Sequence, residues 1–139
     1  MHRPGHDLES ILYIIFYFCT YFKGPGVHID SDDLPEMVSI PLERWFRHET
    51  FRQIARDKFS VMSTADVSLF PTFTPYWADF VPFVRRLISA CFPQLPNFTN
   101  MLTHDTFLEI LREAYDTVEE QHEQSVEDNR SAKRCKLTA

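Results

Sequence analysis

The chain has 139 residues, 44% of them hydrophobic and 14% aromatic, with a formal net charge of −6 and a pI of about 5.4. This length predicts one domain whose core buries roughly two-thirds of the unfolded surface, and the acid excess excludes general nucleic-acid binding, which needs a basic footprint. Cys19, Cys91 and Cys135 are far apart and odd in number, so they offer no zinc or redox spacing; the pattern reads as reducing and intracellular.

In chain order, Pro4-Gly5 is a turn signal. A helix is then expected from Asp7 to Phe22. Asp7 and Glu9 suit the positive end of its macrodipole, and every residue from Ile11 to Phe22 except Thr20 is apolar or aromatic. A helix apolar all round is buried in a core or a membrane. The run is near the short end for a span, Lys23 and Gly24-Pro25-Gly26 stop it, and it lacks a signal-peptide cleavage site, so a buried helix is expected ahead of a membrane span, with anchoring of the protein to a membrane by this helix as a weaker alternative. Cys19 and Cys91 read as buried small hydrophobes. For Tyr13, Tyr17 and Tyr21 the sequence admits both a core boundary with bonded hydroxyls and a phosphorylation site.

Lys23 to Ile40 reads as a polar surface loop. Its acidic patch (Asp30, Asp32, Asp33, Glu36) lacks the ligand spacing and central glycine of a calcium loop. Pro41 starts a short helix through Trp45 and Phe46, and Thr50 with Gln53 is a capping-box pair. The helix after it carries Phe51, Ile54, Ala55, Phe59 and Met62 at helical spacing. Arg47, Arg52, Arg56 and Lys58 are expected on a solvated face, although a basic helix with aromatics also suits an anion or peptide site.

Thr74 offers a cap, and Pro82 places a regular helix from about Asp79, with Phe80, Phe83, Val84, Leu87, Ile88 and Cys91 as its apolar stripe. Pro93, Pro96 and Asn97 form a loop, and the Asn97-Phe98-Thr99 glycosylation pattern is incidental without a secretory signal. The last helix starts near Thr103 or His104 and is expected to bury Phe107, Leu108, Leu111, Tyr115 and Val118. No period-two strand pattern persists. The reading is all-α, with about five helices around a central buried helix over residues 1–124 and a polar, disordered tail over 125–139. Within that tail Lys133, Arg134 and Lys136 resemble a weak nuclear import signal, leaving cytoplasmic and nuclear placement both open.

His6-Asp7-Leu8-Glu9-Ser10, followed by an aromatic-rich helix, resembles the start of the F helix in the C-terminal lobe of protein kinases. The fungal-type protein kinase family is the most similar, because His-Asp-Leu-Glu-Ser opens this helix there. Pro41-Leu42 with Trp45, and Lys58-Phe59 at the end of an amphipathic helix, sit where that family has similar residues. Leu12 departs from the pattern, standing where many kinases carry glycine. The resemblance covers roughly residues 4–115. It implies the distal half of a kinase C-lobe with the first helix as its hub, a chain that begins in the middle of a fold. It also implies that Asp7 accepts hydrogen bonds from catalytic-loop amides; the plain alternative for Asp7 is an N-cap. Intact members phosphorylate serine or threonine with ATP and magnesium.

The phosphoryl-transfer machinery itself is missing from the sequence. There is no Gly-rich loop, no His-Arg-Asp and no Asp-Phe-Gly. No catalytic, cofactor or metal residue is nominated. ATP and magnesium are expected only for an intact family member, and the chain alone is expected to be inactive. Two functions follow: a C-lobe fragment of a fungal-type serine/threonine kinase, or a free-standing degenerate-kinase module for protein–protein interaction. In both, a missing kinase portion or a protein partner covers the first helix, and the isolated chain is expected to self-associate or to need a partner.

Overall fold

A computed structural model describes residues 4–34, 40–47, 50–92 and 103–137. Among them are six α-helices and one two-stranded hairpin, so the protein is all-α in class. Helix α1 runs Pro4–Tyr21. It starts before the expected Asp7, because Pro4 fits the first turn of a helix, where its missing N–H leaves no bond unmade. Asp7 falls in that first turn.

Helix α1 is the central element. Leu8, Leu12, Phe16 and Thr20 recur at four-residue spacing, and with Cys19 they are almost completely buried. Burying each of the large ones stabilises the fold by about 1.5–3 kcal/mol. They pack with Phe83, Val84, Leu87 and Ile88 of α5 (Val81–Cys91) and with Phe107, Ile110 and Ala114 of α6 (His104–Leu137). Ile40, Leu42, Trp45, Val61, Met62 and Leu69 complete the core.

The segment read as a polar loop after α1 contains a hairpin. Strands β1 (Phe22–Gly24) and β2 (Val27–His28) pair antiparallel across a bulge, with Gly26 at φ +68°. That left-handed turn suits glycine, which has no Cβ to clash. Thr74, far along the chain, closes the end of α1. Thr74 N–H donates to Cys19 O at 2.8 Å, one of the carbonyls a helix end leaves over. Phe22 O accepts from Thr74 Oγ1 at 2.6 Å and from Trp77 Nε1 at 2.8 Å. Lys23 pairs with Asp30 at 2.6 Å, which raises the Lys23 pKa and lowers that of Asp30.

Helix α2 (Pro41–Arg47) begins at Pro41 and buries Pro41, Leu42 and Trp45. Helix α3 (Phe51–Ser63) carries the expected capping box between Thr50 and Gln53. Its buried face differs from the expected one. Phe51 is 91% and Phe59 70% exposed, and Ala55 is exposed, while Val61 and Met62 are buried and Ile54, Asp57 and Lys58 half-buried. Two anchors fix that phase: Arg44 makes a two-pronged contact with Asp57 (3.0 Å at the closest), and Lys58 packs on aromatic rings of the core.

Helix α4 (Ala65–Ser68) is a single turn. A 3-10 turn over Pro75–Phe80 then leads into α5, which starts at Val81 rather than Asp79 and buries Phe83, Val84, Leu87 and Ile88 of the predicted stripe. Helix α6 buries Phe107, Ile110 and Ala114 and half-buries Leu111. Leu108, Tyr115 and Val118, expected inside, are exposed. The Arg86–Glu113 pair at 2.7 Å, between α5 and α6, helps to hold this rotation. The helix also continues through Leu137, into the tail expected to be disordered from Ser125. No glycine or proline follows His104, so nothing in the backbone ends it earlier. Glu36 and the Asn97-Phe98-Thr99 pattern lie outside the described residues.

Candidate protein-docking surface

The two faces of α1 differ sharply. Opposite the buried row, Asp7, Ser10, Ile11, Ile14, Tyr17 and Phe18 are all exposed. Ile14 is 54% and Phe18 45% open to solvent, a large exposure for such side chains in the central helix of a fold. The steps from Asp7 to Ile11, Ile14 and Phe18 alternate four, three and four residues. That spacing keeps one narrow line along a helix and is the spacing of a seam that receives another helix or an extended segment. The line is apolar along its length and carries a carboxylate at its N-terminal end.

The flank of α1 is closed by polar and aromatic contacts. Tyr13 OH donates to Glu9, and Tyr21 OH donates to Glu43. These hydroxyls are bonded at the core edge, as the boundary reading expected, while Tyr17 lies in the open face. Burial, then the hydrogen bond to Glu9, pushes the Tyr13 phenol well above its usual range; burial and Glu43 do the same for Tyr21. Tyr13 also meets Trp45 edge to face, with centroids 5.2 Å apart. Lys58 lies over both rings, 3.8 Å from the centre of Tyr13 and 5.4 Å from that of Trp45. Desolvation lowers its pKa, against a weaker opposing effect of the Glu9 carboxylate. Lys58 is therefore no member of a solvated basic face, whereas Arg47, Arg52 and Arg56 are exposed.

None of this forms a nucleophilic centre. Burial pushes the Cys19 and Cys91 thiols up to about 12, which keeps both protonated and inert. No group of three or more His, Cys, Asp or Glu side chains that could hold a metal ion occurs among the described residues. No helix among the described residues is long and apolar enough to cross a membrane. Among the described residues, Thr20 Oγ1 and Trp45 Nε1 are buried without a partner.

Asp7, singled out from the sequence, thus sits at the end of the uncovered line, on the same side of α1 as Ile11, Ile14 and Phe18. The exposed line itself was legible only as surplus: α1 carries more apolar residues than the later helices have surface to cover. No family model, no curated protein and no solved structure matches the chain.

Proposed function

We propose that this chain is a non-catalytic helical module whose α1 face, Asp7 with Ile11, Ile14, Tyr17 and Phe18, is covered by another polypeptide. The observation that carries the reading is the uncovered apolar line on the central helix. Leaving each large apolar side chain in water forgoes about 1.5–3 kcal/mol, so a partner that covers several of them is favoured. In the kinase-like form of this reading, the chain is the distal part of a fungal-type serine/threonine kinase C-lobe. The covering polypeptide is then the portion that bears the catalytic loop, and Asp7 accepts that loop's backbone N–H groups. What supports this form is the His6-Asp7-Leu8-Glu9-Ser10 resemblance together with the outward position of Asp7. In the other form the module stands alone and binds an unrelated protein. The absence of every phosphoryl-transfer motif from the sequence favours a role without chemistry in both.

The test places a photo-reactive residue at Ile14 of the full chain in the cells that express it, with the exposed Val67 as the control position. One defined cross-linked polypeptide, lost in Asp7→Lys, is expected. A product carrying His-Arg-Asp and Asp-Phe-Gly motifs selects the kinase-like form; any other defined product selects the free-standing form. Identical products from Ile14 and Val67 would remove the reading.

A further inference from the structure

A second surface carries a separate inference. On α3, Phe51, Ala55 and Phe59 follow one another at four-residue spacing and are all exposed. The small Ala55 leaves a saddle between the two phenyl rings. Arg52 and Arg56 form a parallel exposed row beside them, and neither pairs with a described residue.

The same chain holds the complementary row. One face of helix α6 carries Glu109, Arg112, Glu113, Asp116, Thr117 and Glu120 together. Glu113 is taken by Arg86, but Glu109, Asp116 and Glu120 pair with no described residue. Asp116 and Glu120 are four residues apart, the same step as Arg52 and Arg56. Beside them Tyr115 is 65% exposed, so an aromatic ring stands next to the acidic row as the saddle stands next to the basic one.

We propose that α3 of one copy docks on α6 of a second copy, with Arg52 and Arg56 against Asp116 and Glu120 and the Tyr115 ring seated over Ala55 between Phe51 and Phe59. Two positive side chains at helical spacing meet two negative ones at the same spacing, so two pairs form at once. Desolvating them beside aromatic rings strengthens both the ion pairs and the contact of arginine with ring faces. The net charge of −6 repels whole copies at long range, which leaves the local match to decide the contact. The contact joins different surfaces. In such a pair one copy keeps a free α6 row and the other a free α3 row, and assembly continues past the dimer.

The experiment uses the full chain with Ile14→Asp throughout, so that the α1 face contributes no association, and reads mass against concentration by analytical ultracentrifugation. The parent is expected to assemble into a concentration-dependent series beyond the dimer. Arg52→Glu with Arg56→Glu is expected to raise the apparent dissociation constant about tenfold or more, as is Asp116→Arg with Glu120→Arg, because each now opposes like charges. Mixing the two variants in equal amounts restores association, since each then meets opposite charge on the other. Phe59→Ser weakens it with all charges kept. Circular dichroism checks that every variant is folded. A parent that stays monomeric at millimolar concentration would overturn the proposal. So would charge variants that associate like the parent, a mixture that does not recover, or indifference to Phe59→Ser.

Discussion

Lys58 holds its ammonium 3.8 Å from the centre of the Tyr13 ring, joining α3 to the central helix through a contact of charge with an aromatic face. The ring face attracts the cation, worth about 0.5–1 kcal/mol or more when water is partly excluded. The four-carbon stem adds apolar packing. Lys58→Ala is expected to destabilise the fold by about 1–2 kcal/mol. Lys58→Met, which keeps the stem, is expected to recover at least half of that loss. Urea melts of the three proteins check it; a Met variant as unstable as the Ala variant would mean that the stem does not pack.

The buried thiols predict an alkaline limit to stability. Unfolded Cys19 and Cys91 lose their protons from about pH 9, whereas burial in the fold delays ionisation to about 12. Their contribution is therefore complete below pH 9 and is lost as pH rises toward 12. Tyr13 and Tyr21, raised by burial and by their carboxylate partners, act in the same direction from about pH 10 upward. Lys58 opposes them, because its lowered pKa makes folding easier as pH rises toward its ordinary value. Urea midpoints at about pH 7 and about pH 10.5 are expected to fall for the parent. Cys19→Ala with Cys91→Ala starts lower, since two small hydrophobes are gone, but declines less steeply. An equally steep decline would place the alkaline limit elsewhere.

On the open face of α1, Ile14→Asp is expected to leave stability within about 0.5 kcal/mol of the parent, since Ile14 is 54% exposed and supports no core neighbour by burial. Binding of an exposed-hydrophobe dye is expected to fall at the same time. A stability loss above about 2 kcal/mol would show that Ile14 belongs to the core rather than to a docking surface.

The central role of α1 was legible because an uninterrupted apolar run between acids and Gly24-Pro25-Gly26 has few other readings. The capping box at Thr50 and the Phe83–Ile88 stripe were legible for the same local reason. Helix rotation was not. On α3 and α6 the aromatic and aliphatic residues outnumber the buried positions, so periodicity permits more than one face. Long-range ties that no local pattern reveals, Arg44–Asp57, Lys58 over Tyr13 and Arg86–Glu113, accompany the observed choice. The hairpin escaped for a related reason, since its strands are too short to show alternation and its anchor, Phe22 O, is a backbone atom bonded to Thr74 and Trp77 far along the chain. In the candidate site, Asp7 could be named in advance, but the exposure of Ile11, Ile14 and Phe18 depends on how much surface α5 and α6 cover.

Mg-ATP is expected not to bind the isolated chain, because its sequence carries no Gly-rich loop to cradle phosphates and no Asp-Phe-Gly metal motif. Calorimetry is the check. Micromolar affinity would reveal a nucleotide site and would count against a purely supporting role.

Two threonines, both nearly or fully buried, predict opposite outcomes for the same chemical change. Thr20 is fully buried in α1, and its hydroxyl has no partner. Thr74 is 5% exposed, and its hydroxyl donates to Phe22 O at 2.6 Å. Valine keeps the shape of threonine and replaces the hydroxyl by a methyl. At Thr20 this removes a polar group that lost its water on folding and gained nothing for it, so Thr20→Val is expected to stabilise by about 1 kcal/mol. At Thr74 it deletes a hydrogen bond that ties the hairpin to the turn before α5. Thr74→Val is expected to cost about 1–2 kcal/mol, although Phe22 O keeps its bond from Trp77. Side-by-side denaturant melts decide the matter. If both variants lose stability, the Thr20 hydroxyl has a partner after all; if both gain it, the bond from Thr74 to the hairpin carries no net stability.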